Sequence, residues 1–127
     1  MPSIQRPLSG DALLFHLDDE LDRIGSSGGL EEHGRAARTL AKDGALRVAL
    51  VVLVPEGTLE DHHAAGPVTI NALRGDIRVS TEEGQYELTT GDLLVLGAGV
   101  RHGVASSEGG AFLLTVVHPP AATGSGA

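Results

Sequence analysis

Apolar residues near the N-terminus recur about every 3.6 positions, which predicts an amphipathic helix. Ser9 precedes this run as an N-cap, and Gly25 ends it. The acidic stretch 18–20 is expected to form the solvated face of the helix. The apolar positions are Leu13, Leu14, Leu17, Leu21 and Ile24.

The pattern changes after Arg35, where short apolar or alternating runs are separated by turns rich in glycine. Such runs predict β-strands. The longest run, 46–54, is almost continuously apolar and is expected to be buried on both faces. Eight strands are predicted in total, at 38–42, 46–54, 68–73, 77–80, 85–89, 93–96, 102–105 and 111–117.

Short strands at regular spacing favour an all-β fold, an antiparallel sandwich or barrel of the jelly-roll kind. We expect three parts along the chain. Residues 1–44 form an N-terminal arm with a helix and a short strand, residues 45–118 form the barrel, and residues 119–127 form a disordered tail.

The composition argues against several classes of binding partner and several kinds of chemistry. The 127 residues carry a formal net charge of −8, so nucleic acids and anionic membrane surfaces are not expected partners. The absence of cysteine excludes disulfides and thiolate sites. No apolar run approaches the roughly 20 residues that span a bilayer. The N-terminus lacks a signal-peptide pattern, and we expect a cytoplasmic protein.

One stretch suggests a functional site, because a glycine turn leads directly into a histidine at the start of a strand. From Gly91 the chain reads five residues, Gly97, one residue, Gly99, two residues, His102, three residues and Ser106. This spacing resembles the second motif of the cupin superfamily, G-x5-P-x-G-x2-H-x3-N. Gly97 replaces the usual proline and Ser106 the usual asparagine.

The first cupin motif, G-x5-H-x-H-x3-4-E-x6-G, is present only in degenerate form. Counting back from Gly75, the acidic position falls on Val68, the second histidine position on Ala64 and the first on His62. The run His-His-Ala-x-Gly-Pro-Val-Thr-Ile also resembles small bacterial single-domain cupins of the cupin-2-like conserved-barrel type. The resemblance extends over about residues 45–117 and implies a cupin-type double-stranded β-barrel that forms a homodimer.

The resemblance also suggests metal ligands. Metal-binding cupins supply three histidines and one glutamate, and this chain keeps His62 and His102 at matching positions. Glu60 lies two positions before His62 and is a possible further ligand. His63 is another, but only if the strand bulges, because neighbouring strand residues point to opposite faces. The expected cofactor is a weakly held divalent transition metal, namely Zn, Fe, Mn or Ni.

Alternation through the first motif predicts an apolar pocket lined by Ala64, Val68 and Ile70, with the two histidines near its mouth. A few polar groups in an apolar cavity suit the binding of a small organic molecule. Three function classes stay open. They are a small-molecule binding protein with a reduced metal site, a metal-dependent dioxygenase or isomerase, and a structural or interaction protein with a vestigial pocket.

Overall fold

The computed structural model describes residues 7–26 and 33–119, which contain one helix and nine strands. The helix α1 spans Leu17–Ser26. The strands are β1 Arg35–Asp43, β2 Leu46–Leu53, β3 Thr58–His62, β4 Val68–Gly75, β5 Ile77–Thr81, β6 Gly84–Leu88, β7 Leu93–Leu96, β8 His102–Ala105 and β9 Gly110–Val117.

The strands form two antiparallel sheets with a jelly-roll-like order. The larger sheet has the order β1-β2-β9-β4-β7 and the smaller one β3-β8-β5-β6. Within the described ranges no hydrogen-bonded ladder joins one sheet to the other, so the sheets face each other without closing into a continuous barrel. The all-β prediction is confirmed. The sequence pattern missed β3, and β1 begins three residues earlier than predicted.

The main core lies between the sheets and is almost entirely aliphatic. Alternate residues of β2, β4, β5 and β9 point inward and supply most of its side chains. Phe112 on β9 lies at the centre and is fully buried. The other buried members are Val51, Leu53, Val68, Ile70, Ala72, Ile77, Val79, Leu88, Leu96 and Val104.

A second apolar cluster forms where α1 packs on the outer face of the larger sheet. Leu21 and Ile24 on the helix are buried against Leu50, Leu40 and Ala111. This explains the continuous apolar run of β2, because one of its faces meets the core and the other meets the helix.

The helix is shorter than the sequence predicted. It begins at Leu17, whereas the apolar spacing favoured a start near Ser9. The segment before it runs beside β1, where the carbonyl oxygen of Leu8 accepts a hydrogen bond from the Lys42 amide at 2.8 Å. The segment is not helical before Leu17, so its contact with β1 outweighs the local helix propensity.

The acidic stretch of α1 is not uniformly solvated as expected. Glu20 is only 4 % exposed, and one of its carboxylate oxygens lies 3.0 Å from Nε of Arg38 on β1. Asp18 and Asp22 stay exposed but pair with Arg74 on β4, at 3.2 and 3.3 Å. The helix is therefore tied to the sheet by charge on two sides as well as by apolar packing.

Asp76 organises the loop at one end of the sandwich. Its carboxylate accepts hydrogen bonds from the Ser106 hydroxyl and from the amides of Ser107 and Glu108, at 3.0–3.1 Å. These donors lower the pKa of Asp76, with the Ser107 amide contributing most. These partners lie about thirty residues away from Asp76 in the sequence.

In the described part of the chain, no helix combines the length and apolar character that crossing a bilayer requires.

Candidate functional site

His102 occupies the first position of β8 and points into the core. Val104, two positions further along the same strand, is a core residue, so His102 shares its inward face. The turn before it is held in place because the Gly99 amide donates to the Ala64 carbonyl at 2.8 Å. Gly99 has a φ of 79°, a conformation that residues with a side chain rarely adopt. This backbone contact joins the two motif regions that the sequence singled out.

A β-bulge in β3 brings His62 onto the same face as His102. Leu59 pairs with Val104 and His62 pairs with His102, so Glu60 and Asp61 together face only Gly103. The extra residue shifts the alternation of the strand by one position. Asp61 lies over Gly103, where its carboxylate takes the space that a Cβ atom would fill.

The two imidazoles are in direct contact. Their ring centroids are 4.3 Å apart with an interplanar angle of 60°. Nδ1 of His62 lies 2.9 Å from the Glu60 carbonyl oxygen, and Nδ1 of His102 lies 3.0 Å from the Val100 carbonyl oxygen. A carbonyl oxygen only accepts, so each Nδ1 carries the hydrogen, and each neutral ring keeps a free lone pair on Nε2.

His102 is the buried member of the pair, with 1 % of its surface exposed. Its Nε2 atom is buried and has no hydrogen-bond partner among the described residues. Burial lowers the pKa of His102 from its ordinary value near 6.5, and the neighbouring His62 lowers it further. The hydrogen bond to Val100 and the charge of Asp61 act in the opposite direction. The ring is therefore neutral at pH 7.

The other residues proposed as ligands, Glu60 and His63, have exposed side chains, unlike His102. Glu60 is exposed, and the contact recorded between it and His62 is made by its backbone carbonyl oxygen. His63 is exposed and lies beyond the end of β3, so the bulge before His62 does not turn it inward. No group of three or more histidine, aspartate or glutamate side chains suited to a metal ion occurs within residues 7–26 and 33–119.

The residues predicted to line a pocket belong to the packed core. Val68 and Ile70 are 3 % and 0 % exposed, and Ala64 packs against the same cluster. Their role as pocket residues stays a prediction.

A polar cleft of about 450 Å³ adjoins the histidine pair. Thr81 lines it and is the direct partner of His102 in the β5–β8 ladder. Val100 also lines it and supplies the carbonyl that orients His102. The remaining wall is formed by His63, Glu82, Glu83, Ala98, Gly99 and Arg101.

Sequence reasoning missed the contributions of Thr81, Asp61 and Gly103 to this region. Thr81 joins the site only through strand pairing across about twenty residues. The approach of Asp61 to Gly103 leaves a weak signal in sequence, namely a glycine inside a strand.

Comparison with known proteins identifies the fold. No protein-family profile matches the chain, and no curated protein sequence is similar to it. Solved structures do match. The conserved SPY1581 protein of unknown function from Streptococcus pyogenes has a TM-score of 0.65 at 24 % identity, over 71 % of this chain and 79 % of that one.

Two further structures carry the cupin name or a similar fold. A cupin superfamily protein from Desulfitobacterium hafniense has a TM-score of 0.65 at 15 % identity, over 67 % of this chain and 78 % of that one. KdgF from Halomonas sp. has a TM-score of 0.62 at 18 % identity, over 68 % and 82 %. The chain therefore has the cupin fold, as its motifs indicated, and likeness at this identity establishes the fold alone.

Proposed function

We propose that this cupin-fold chain is a small-molecule binding protein whose site is the His62–His102 pair with the adjoining cleft. In this proposal the two Nε2 atoms also hold a divalent transition metal weakly, as Zn, Fe, Mn or Ni. The observation that carries the proposal is the buried Nε2 atom of His102, which has no partner among the described residues.

An unsatisfied buried acceptor is unusual in a folded protein, because it costs about 1–3 kcal/mol relative to a hydrogen-bonded one. A bound ligand that donates a proton, or a metal ion that accepts the lone pair, would remove that cost. The Nδ1 contacts with backbone carbonyls support this reading. Histidines that bind metals are commonly oriented by such a hydrogen bond through their other ring nitrogen.

His62 and His102 would be the protein ligands of the ion, each through its Nε2 atom. The observed distance between the His62 and His102 centroids is 4.3 Å. Two protein ligands are fewer than the three that catalytic zinc sites use, so the affinity for a free ion should be low.

The cleft supports the small-molecule part of the proposal. Its volume of about 450 Å³ lies within the range of known small-molecule sites. A molecule in the cleft would contact Thr81 and Val100, which border His102 on two sides.

Metal titration of the untagged, metal-free, full-length protein tests the metal part. We expect Zn²⁺ and Ni²⁺ to bind once per chain, with calorimetry giving the affinity and ¹⁵N NMR of the rings reporting coordination by Nε2. His102→Ala should abolish this binding, whereas His16→Ala, which changes an exposed histidine on the N-terminal arm, should keep it. Binding that survives His102→Ala would overturn the metal site.

Mass spectrometry of denatured protein tests the small-molecule part. We expect a compound that co-purifies with the wild type and is lost from the His62→Ala and Thr81→Val variants, since both border the cleft or the pair. The alternative of a vestigial pocket predicts neither a compound nor a metal, so a negative result in both experiments would favour it.

We also propose a homodimer formed through the outer face of the larger sheet. Leu93 and Val95 on β7 are 61 % and 62 % exposed, and Val117 on β9 lies on the same face at 40 %. These three side chains are exposed and apolar in a chain of net charge −8, and two copies can pack on such a patch with little charge repulsion.

A further inference from the structure

We propose that β7 pairs edge to edge with β7 of a second copy of this chain, so that the larger sheets of the two copies join into one continuous sheet. This inference rests on the homodimer proposed above, since it names the contact through which that homodimer forms. The contact consists of backbone hydrogen bonds along an apolar strand, and the side chains on that strand cover each other across the new pair.

The strand β7 lies at one edge of the larger sheet. It is hydrogen-bonded to β4 on one side, and the described part of the chain places no strand on its other side. The residues of β7, Leu93–Leu96, are all apolar, and its ladder with β4 runs without a bulge. A regular, uncharged strand at a sheet edge is a template for pairing with another chain.

The other three edges of the two described sheets carry features that oppose strand addition. The strand β1 contains Arg38 and Lys42, its register is shifted, and the Lys42 amide is already bonded to the Leu8 carbonyl. The strand β3 contains Asp61 and a bulge, and β6 contains Glu87. Charged side chains and bulges are the usual protection of an edge. The edge of β7 differs from all three because it has neither.

The backbone amide and carbonyl groups of Leu93 and Val95 point away from β4. The Ala72 amide donates to the Asp92 carbonyl at 2.9 Å, so these two residues form a hydrogen-bonded position of the β4–β7 ladder. Such positions alternate along an antiparallel strand, which makes Leu94 the next residue bonded to β4. The intervening residues therefore direct their hydrogen-bonding groups toward the open edge.

This direction of the backbone groups determines the register between the two copies. Residues that face each other at a hydrogen-bonded position exchange both of their amide–carbonyl bonds. In the register that uses every open group of β7, Leu93 of each copy pairs with Val95 of the other. Leu94 then meets its own counterpart on the symmetry axis, as an isologous contact requires. A shift of the register leaves Leu93 or Val95 without a partner.

Side chains and charge select a second copy as the partner strand. Leu93 and Val95 are 61 % and 62 % exposed, and in this register they lie beside each other across the new strand pair. The chain has a net charge of −8, so much of its surface repels another copy. Because β7 carries no charge, pairing it with itself places no like charges opposite each other.

Disulfide cross-linking tests the register, because the natural chain contains no cysteine. Leu94→Cys places one thiol of each copy at the axis, where facing Cα atoms are about 4.5 Å apart, a separation that a disulfide can bridge. We expect mild oxidation to convert most of this variant into a covalent dimer. Gln85→Cys is the control, because Gln85 is exposed on β6, the edge of the smaller sheet, and should stay a single chain.

Val95→Pro tests the hydrogen bonds separately from the apolar contact. Proline lacks the amide hydrogen that faces the open edge, but it keeps an apolar side chain and removes no bond to β4. Light scattering should give this variant the mass of one chain, with a circular dichroism spectrum like that of the wild type. Hydrogen exchange at the Leu93 and Val95 amides of the wild type should be about tenfold slower in the dimer than after dilution to the monomer.

The outcomes separate strand pairing from the homodimer itself. If the wild type has the mass of two chains, but Leu94→Cys does not cross-link and Val95→Pro stays dimeric, strand pairing is wrong and the homodimer stands. If the wild type has the mass of one chain at every concentration, both proposals are wrong. If circular dichroism shows that either variant is unfolded, hydrogen exchange of the wild type decides, and fast exchange at both amides in the dimer overturns the inference.

Discussion

The carboxylate of Asp61 lies directly over Gly103, in the space where any other residue would place its Cβ atom. This contact lies at the β-bulge in β3. The bulge turns the His62 side chain toward His102. The geometry of the histidine pair thus depends on a glycine that leaves room for the Asp61 carboxylate at the bulge.

Gly103→Ala should disturb both stability and the site. The added methyl group clashes with the Asp61 carboxylate, and overpacking of this kind costs about 1–3 kcal/mol. Urea unfolding measures the loss, and Ni²⁺ titration should show weaker binding as His62 shifts. Gly97→Ala is the matched control, because no atom lies within 4 Å of its added Cβ. Equal stability of the two variants would contradict this account of the bulge.

His102 should make the unfolding free energy depend on pH. Burial lowers its pKa in the folded chain below the unfolded value near 6.5. The unfolded chain therefore binds the proton first, and stability is full above about pH 6.5 and falls as the pH drops toward the folded pKa. The slope in this window is at most about 1.4 kcal/mol per pH unit.

Urea unfolding between pH 5 and 8 measures this effect. His102→Gln should flatten the slope, while His63→Gln, at an exposed position, should leave it as in the wild type. If the unfolding free energy of His102→Gln changes with pH as steeply as that of the wild type, another group causes the pH dependence.

Asp76 should act in a more acidic window. Its pKa is lowered from 3.8 by the Ser107 and Glu108 amides and the Ser106 hydroxyl. The stability it gives is present above pH 3.8 and is lost as the pH falls through the folded pKa. Asp76→Asn should cost about 1–2 kcal/mol at pH 7 through weaker hydrogen bonds.

Thermal denaturation at pH 7 and pH 3 checks this expectation. The difference between wild type and Asp76→Asn should shrink at the lower pH, because Asp76 of the unfolded wild-type chain binds a proton below pH 3.8. Asp11→Asn, an exposed position on the N-terminal arm, serves as the control and should match the wild type at both pH values.

The proposed dimer should dissociate when its apolar face receives a charge. Val95→Lys places an ammonium on the exposed face of β7, and light scattering after size exclusion should then give the mass of one chain instead of two. Gln85→Lys is the control, because Gln85 is exposed on β6, in the smaller sheet. If the wild-type protein has the mass of a single chain in this experiment, the dimer proposal is wrong.

The sequence predicted most of the strands, because alternation of apolar and polar residues follows directly from burying one face of a sheet. It failed at β3, where Glu60 and Asp61 interrupt the alternation. The reason is the bulge, since an extra residue breaks the period of two on which the prediction depends. It also extended the helix toward Ser9, where the chain is not helical and the Leu8 carbonyl accepts a hydrogen bond from the Lys42 amide.

The site was predicted in part. Spacing in the second motif singled out His102, and the degenerate first motif singled out His62, and these two rings do meet. The sequence offered Glu60 and His63 only as possible further ligands, because a side chain's orientation depends on strand register, which spacing alone does not fix. Thr81, which pairs with His102, was not identified at all.

The sequence by itself determined the all-β class, the aliphatic core and the two histidines, because each follows from local periodicity or motif spacing. Only the tertiary structure decided that His62 faces His102, that Glu20 is buried against Arg38, and that Asp76 holds a loop thirty residues away. The physical reason is the sequence distance over which each feature is determined. Local periodicity indicates which residues are buried, whereas the partner of a buried polar group depends on contacts between strands that are distant in sequence.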